Sequence, residues 1–257
     1  MSDWKPNLYL EFGKERTQPS IDLVARIDHN GPQRMIDIGC GPGNSTNVLK
    51  ARWPQAEIIG LDNSKPMIDE AKSKYLTMEW ICADASDDLT HLGKFDIVFS
   101  NAAIQWMPRQ EQLLPNLFHS LNKGGVLAVQ VPYITQMPLQ IELMNLVLTD
   151  KWKSRFADMA STYTSHPPDF YYDLLCNLTP EFDVWETRYF HVMFTHADMV
   201  KWFSGTGLRT YLDCLTNSMK AEFCKEYEDA LKKVYPVQAD GKILFPFTRI
   251  FFTATKI

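Results

Sequence analysis

The chain has 257 residues, of which 45% are hydrophobic and 22% charged. That composition excludes a disordered chain, and the length supports a core that needs no disulfide or metal staple. The balance of 26 basic and 31 acidic residues leaves a formal charge of −5, which argues against a general nucleic-acid grip, since that requires a basic face. Cys40, Cys82, Cys176, Cys214 and Cys224 are odd in number and irregularly spaced, without a CxxC pair. They read as reduced cytosolic thiols. Residues 1–14 mix Asp3, Lys5, Glu11 and Lys14 with aromatics and lack the apolar core of a signal peptide. The longest uncharged stretch, 124–141, is broken by Pro132 and Pro138, a poor membrane span. The expectation is a soluble cytoplasmic protein with no membrane, nucleic-acid or obligate protein partner.

In chain order, RMIDI at 34–38 reads as a first strand running into a glycine-rich loop, Gly39-Cys40-Gly41-Pro42-Gly43. A helix over 45–52 follows, stopped by Pro54. The strand IIGL (58–61) closes on Asp62, and Asn63 or Ser64 can cap a helix to about residue 74. EWICA (79–83) is a third strand, closed by Asp84, and FDIVFS (95–100) a fourth. A helix over about 110–121 is expected to end at Asn122 and the Gly124-Gly125 pair, before a fifth strand at 126–131. Strands alternating with helices imply βαβ units and a parallel sheet covered on both faces. From 137 to 180 no strand-like run occurs. VWETRYFHVM (184–193) is a sixth strand, helices follow over about 197–215 and 218–235, and 243–255 is a long final strand. The reading is a single domain over 1–257, with an N-terminal lid segment (1–30), a ligand-binding core (34–132) and helical insertions at 137–180 and 196–236 that close over the sheet edge.

In an open α/β sheet, ligands bind beyond the carboxyl ends of the strands, so the loop after the first strand is the place to look. A GxGxxG dinucleotide loop needs glycine where Asn44 stands. A phosphate-cradling GxxxxGK[ST] loop needs a lysine that Lys50 is too distant to supply. The two acids narrow the choice. Asp62 ends the second strand, where a carboxylate accepts from both ribose hydroxyls of a nucleoside. Asp84 ends the third, where it can accept from an adenine amino group, and Met67 can pack on the adenine face. The plainer alternative is that both acids are helix N-caps.

The DIGCGPGNS loop, the LDNS turn and the CADA turn resemble the cofactor site of the class I S-adenosylmethionine-dependent methyltransferases. The resemblance extends to Trp4, Tyr9, Phe12, Glu15-Arg16 and Pro19, to NAAIQWMP (101–108), to TRYFHVM (187–193), and to TGLR with the later Leu212. Over nearly the whole chain these features resemble the trans-aconitate 2-methyltransferase family. The resemblance implies an α/β Rossmann-like sheet of seven mostly parallel strands in the order 3-2-1-4-5-7-6, with helices on both faces and a helical lid. It implies S-adenosyl-L-methionine as cofactor, held by Asp37, Gly39, Cys40, Gly41, Asn44, Asp62, Asn63, Met67, Asp84, Ala85 and Asn101. It implies a small polycarboxylate as acceptor, contacted by Tyr9, Arg16, Gln105, Trp106, His191 and Arg209. The 137–180 segment departs from the family pattern.

The chemistry is consistent with this set. A carboxylate is already ionised at neutral pH, so methylating it needs orientation and no general base. Arginine forks match carboxylates. Strand alternation puts Trp185, Thr187, Tyr189, His191 and Met193 on one face, and Glu186 and Arg188 on the other. The six histidines show no HExxH spacing, so no metal is expected. Arg249, inside the last strand, reads as structural. The alternatives are another carboxyl methyltransferase, such as one acting on a malonyl group carried by an acyl carrier protein, or an S-adenosylmethionine-binding module without catalysis. A nucleic-acid methyltransferase lacks its NPPY-type run and basic track here.

Overall fold

The computed structural model describes residues 13–159 and 163–257. Its elements in chain order are α1 (Gly13–Arg26), β1 (Arg34–Ile38), α2 (Asn44–Arg52), β2 (Glu57–Asp62), α3 (Lys65–Lys74), β3 (Glu79–Cys82), β4 (Phe95–Asn101), α4 (Gln110–His119), β5 (Leu121–Pro132), α5 (Pro138–Val147), α6 (Pro168–Cys176), β6 (Phe182–Met193), α7 (His196–Ser204), α8 (Arg209–Asp213), α9 (Asn217–Val234) and β7 (Ile243–Thr255). The strands form one seven-stranded sheet in the order β3-β2-β1-β4-β5-β7-β6, mixed but mostly parallel. The expected order is therefore the observed one. β1 pairs in parallel with β2 and β4, β2 with β3, and β4 with β5.

The described residues fall into two compact units, one holding 13–132, 166–187 and 250–257, the other 133–159, 163–165 and 188–249. In the first, Met35, Ile36, Ile38, Ile97, Val98, Phe99, Leu127, Ala128 and Val129 are almost fully buried. Such continuous apolar runs belong to strands covered on both faces. Helix α1 packs on α2 and β5. The Arg52 guanidinium ties the two helices by donating to the Ile27 carbonyl at 2.9 Å.

In the second unit, helix α9 packs against α5 and α7. Phe203, Phe223, Tyr227 and Leu231 are buried there with Leu139 and Leu143. The first turn of α5 leaves N–H groups without intrahelical partners; one tyrosine hydroxyl accepts from such a group, and a second adds a bond to the same residue's carbonyl. Leu139 N–H donates to Tyr235 Oη at 3.0 Å, and Tyr227 Oη donates to the Leu139 carbonyl at 2.7 Å. Among the described residues no helix is long and apolar enough to cross a membrane, and no group of three or more His, Cys, Asp or Glu is placed to hold a metal.

Two elements depart from the sequence reading: the one helix expected over about 197–215 is two, α7 and α8, with a turn over 205–208, and the boundary between α4 and β5 is displaced. Helix α4 ends at His119, and β5 already begins at Leu121. Gly124-Gly125 therefore lies inside the strand segment, where pairing with β4 shifts register between Phe95 and Ile97. A Cβ at Gly125 would stand 2.9–3.1 Å from the carbonyl oxygens of Asn122, Asp96 and Phe95. The glycine serves that close backbone approach and not a helix stop.

Candidate cofactor cleft

β1 ends in the glycine loop, and the loop is shaped by its neighbours. Gly39 N–H and Cys40 N–H both donate to the Leu61 carbonyl of β2, at 2.7 and 3.0 Å. Gly39 has φ +70, and a Cβ there would lie 2.2 Å from the Ala103 Cβ. Only glycine meets both demands. Asp62, at the end of β2, grips the loop from the side: Oδ2 accepts from Gly41 N–H at 2.9 Å and Oδ1 from Ser64 N–H at 2.8 Å. Its bond to Ser64 N–H ties the turn before α3, whose N-cap residue is Ser64 and not Asp62. Asp84 closes β3 in a similar way, accepting from Ser86 N–H at 2.8 Å.

These pieces surround an open cleft of about 880 Å³, solvent-facing space included. Of the expected cofactor residues, Gly39, Cys40, Gly41, Asn44, Asp62, Asn63, Met67, Asp84, Ala85 and Asn101 line it. Asp37 does not. It is fully buried behind the loop, where Oδ2 accepts from Ser45 Oγ and Thr46 Oγ1, each at 2.7 Å. Its Oδ1 has no partner among the described residues, and neither does Oδ1 of Asn101. Burial pushes the Asp37 carboxyl up to about 7, against the pull of the two hydroxyls. Burial likewise raises Asp62, whereas the backbone bond from Ser86 holds Asp84 below the usual carboxylate range.

Of the expected acceptor residues, Arg16 and Trp106 line the cleft. Gln105 is buried outside its lining, and Tyr9 lies outside the described residues, as do Trp4 and Phe12. His191 and Arg209 belong to the second unit. There His191 is buried, stacked parallel to Tyr189 at 6.4 Å and packed against Trp202 at 5.0 Å. Arg188 is exposed on the opposite face of β6, over the Phe190 ring, as the alternation requires. Arg249 is buried with its guanidinium 4.7 Å over Phe247. Sequence reasoning missed Thr17 and Ser20 on α1, and Ala102, Ala103 and Met107 after β4, all of them on the cleft wall.

The strand order with a glycine loop after β1 defines a class I methyltransferase fold. The YcgJ protein from Bacillus subtilis superposes with a TM-score of 0.62 at 16% identity, over 93% of this chain and 98% of that one. Phosphoethanolamine N-methyltransferase 2 of Haemonchus contortus gives 0.56 at 15% identity, over 93% of this chain and 52% of that one. A methyltransferase-domain family model matches residues 35–125. Trans-aconitate 2-methyltransferase of Methylobacterium nodulans is 40% identical, covering 100% of this chain and 99% of its own. That of Escherichia coli strain ATCC 8739 is 38% identical, with both chains covered in full. The chain belongs to the trans-aconitate 2-methyltransferase family.

Proposed function

We propose that the chain is an S-adenosyl-L-methionine-dependent O-methyltransferase that esterifies one carboxylate of a small polycarboxylic acid, trans-aconitate before others, in the cytoplasm. The observation that carries the cofactor half is the convergence of the glycine loop, Asp62 and Asp84 on one cleft. The residues fit the cofactor. Gly39 and Gly41 present backbone alone on the cleft wall, Asp62 and Asp84 present carboxylates at successive strand ends, and a bound cation would favour the ionised forms of the buried Asp37 and Asp62, whose carboxyls burial raises. We assign the amino-acid part of the cofactor to Gly39, Cys40, Gly41, Asn44 and Asn101, with Asp37 acting from behind the loop. We assign the ribose to Asp62 and Asn63, and the adenine to Met67, Asp84 and Ala85.

The bound cofactor supplies an electrophilic methyl group on a cationic sulfur. What the protein's residues contribute is binding and orientation. The acceptor carboxylate arrives ionised, so no group is needed to take a proton from it. Arg16, buried on the cleft wall, offers a fixed cation to a carboxylate. Trp106 walls the same cleft and helps to exclude water, which strengthens that pairing. Tyr9, His191 and Arg209 are assigned to the acceptor on the family resemblance. The test is methyl transfer from labelled S-adenosylmethionine to a panel of acids, read by mass spectrometry. A monomethyl ester of trans-aconitate formed in preference to esters of dicarboxylates and fatty acids supports the reading, and preference for an amine or a phenol overturns it.

A further inference from the structure

The segment leaving β4 makes a turn that residues with a side chain seldom adopt. Ala102 has φ +54, in the left-handed region where a Cβ crowds the backbone. Two hydrogen bonds hold it. Its N–H donates to the Gln130 carbonyl of β5 at 2.9 Å. Its carbonyl accepts from Gln105 Nε2 at 2.6 Å. Gln105 sits in the 3₁₀ turn Ile104–Trp106 and is 2% exposed. Its other amide atom, Oε1, is buried and has no partner among the described residues. A buried acceptor left without a donor is a cost. An apolar side chain of similar size would avoid that cost but would give up the bond to Ala102.

The turn matters because of what it carries. Asn101, Ala102, Ala103, Trp106 and Met107 all line the cofactor cleft. Ala103 presses on the glycine loop so closely that a Cβ on Gly39 would meet its Cβ at 2.2 Å, with the Met107 methyl at 3.6 Å. A turn that relaxed even slightly would shift the wall against the loop. We infer that Gln105 is a positioning residue: by holding the Ala102 carbonyl it fixes the left-handed turn that seats Ala103 on Gly39 and sets Trp106 and Met107 in the cleft wall. This replaces the acceptor contact expected for Gln105 from the sequence. It rests on the cleft being the cofactor site.

A carboxylate tests the bond in a way that a space-filling role does not. In Gln105→Glu the ionised side chain has no donor and faces a carbonyl oxygen. Once protonated, it can donate to that oxygen again. Burial raises the carboxyl pKa, so the switch falls in an accessible range. Affinity for S-adenosylhomocysteine, measured by calorimetry from about pH 5.5 to 8.5 and divided by the wild-type value, is expected to fall about tenfold at the alkaline end and to recover on acidification. Gln105→Leu is expected to be reduced by a constant factor at every pH. A pH-independent ratio in Gln105→Glu, or wild-type affinity in Gln105→Leu, overturns the inference.

Should Gln105→Glu fail to fold at alkaline pH, the leucine variant in an Ala102→Gly background decides. Glycine adopts the turn unaided, so the deficit is expected to shrink there, and an undiminished deficit overturns the inference. A wild-type protein that binds S-adenosylhomocysteine but does not methylate trans-aconitate refutes the acceptor reading and leaves this test intact. A wild-type protein that binds no S-adenosylhomocysteine refutes the cofactor reading first.

Discussion

Asp37 is an acid whose burial works against its own charge. Its carboxyl is raised to about 7 because it lies wholly inside the protein, and the hydroxyls of Ser45 and Thr46 recover only part of the lost hydration. A cation bound on the other side of the loop favours the ionised form. Cofactor affinity should therefore decline as the pH falls through about 7, with protons released on binding, which calorimetry in buffers of different ionisation enthalpy detects. The same shift bears on stability. With a folded-state pKa above that of the unfolded chain, the group's contribution is fully present below about pH 4 and is lost as the pH rises to about 7. Asp37→Asn should then raise the melting temperature of the ligand-free protein at pH 8, by about 2–4 °C for each kcal/mol recovered, while weakening cofactor binding. A variant that melts lower than wild type at pH 8 and binds equally well would contradict this account. Asp62 anchors Gly41 N–H, and under the proposed function it also serves the ribose. Asp62→Ala should cost about 1.5–3 kcal/mol of cofactor affinity, the scale of hydrogen bonds to a charged group. Unchanged affinity by calorimetry would remove Asp62 from the site.

At the scale of elements, the glycine loop is held by the turn after β4 as much as by its own strand. Gly39→Ala should disrupt cofactor binding and destabilise the fold by about 1–3 kcal/mol, through overpacking and a strained backbone. Adding Ala103→Gly should restore part of the stability, because it removes the clash at 2.2 Å but leaves φ at +70. Denaturant melts of the single and double variants check this. Additive losses would mean the two residues do not press on each other.

Most of this architecture was legible because the signals were local. Short apolar runs closed by Asp62 and Asp84 mark β2 and β3, and the glycine loop marks the start of α2. What was not legible depends on tertiary contacts. Helix α1 carries Pro19 and turns Arg16, Thr17 and Ser20 towards the cleft, so its polar side serves a ligand site and dilutes the helical pattern. Ala102 gives no sign of its left-handed turn, because glycine or asparagine would be the usual residue there. The burial of Gln105 follows from that turn and was equally invisible. Gly124-Gly125 misled because a glycine pair is a common helix stop, and only the register shift in β5 explains it.

At the scale of the whole molecule, a chain with a net charge of −5 takes up a polyanion, so the attraction has to be local. Among the described residues, Arg16 is the cation on the cleft wall. A substrate missing one carboxylate leaves a buried donor without its partner, at a cost of roughly 1–3 kcal/mol, so kcat/KM for a dicarboxylate should be lower by about tenfold or more. Arg16→Gln should weaken trans-aconitate more than the dicarboxylate if it grips the additional charge. Equal losses on both acids would assign Arg16 to the cofactor instead. Carboxylate methylation is tested by methyl transfer from labelled S-adenosylmethionine to trans-aconitate by the purified wild-type chain, with a dicarboxylate, a phenol and an amine in competition. The expected dominant product is a single labelled trans-aconitate monomethyl ester, and label on the phenol or the amine, with the acids untouched, would refute carboxylate methylation.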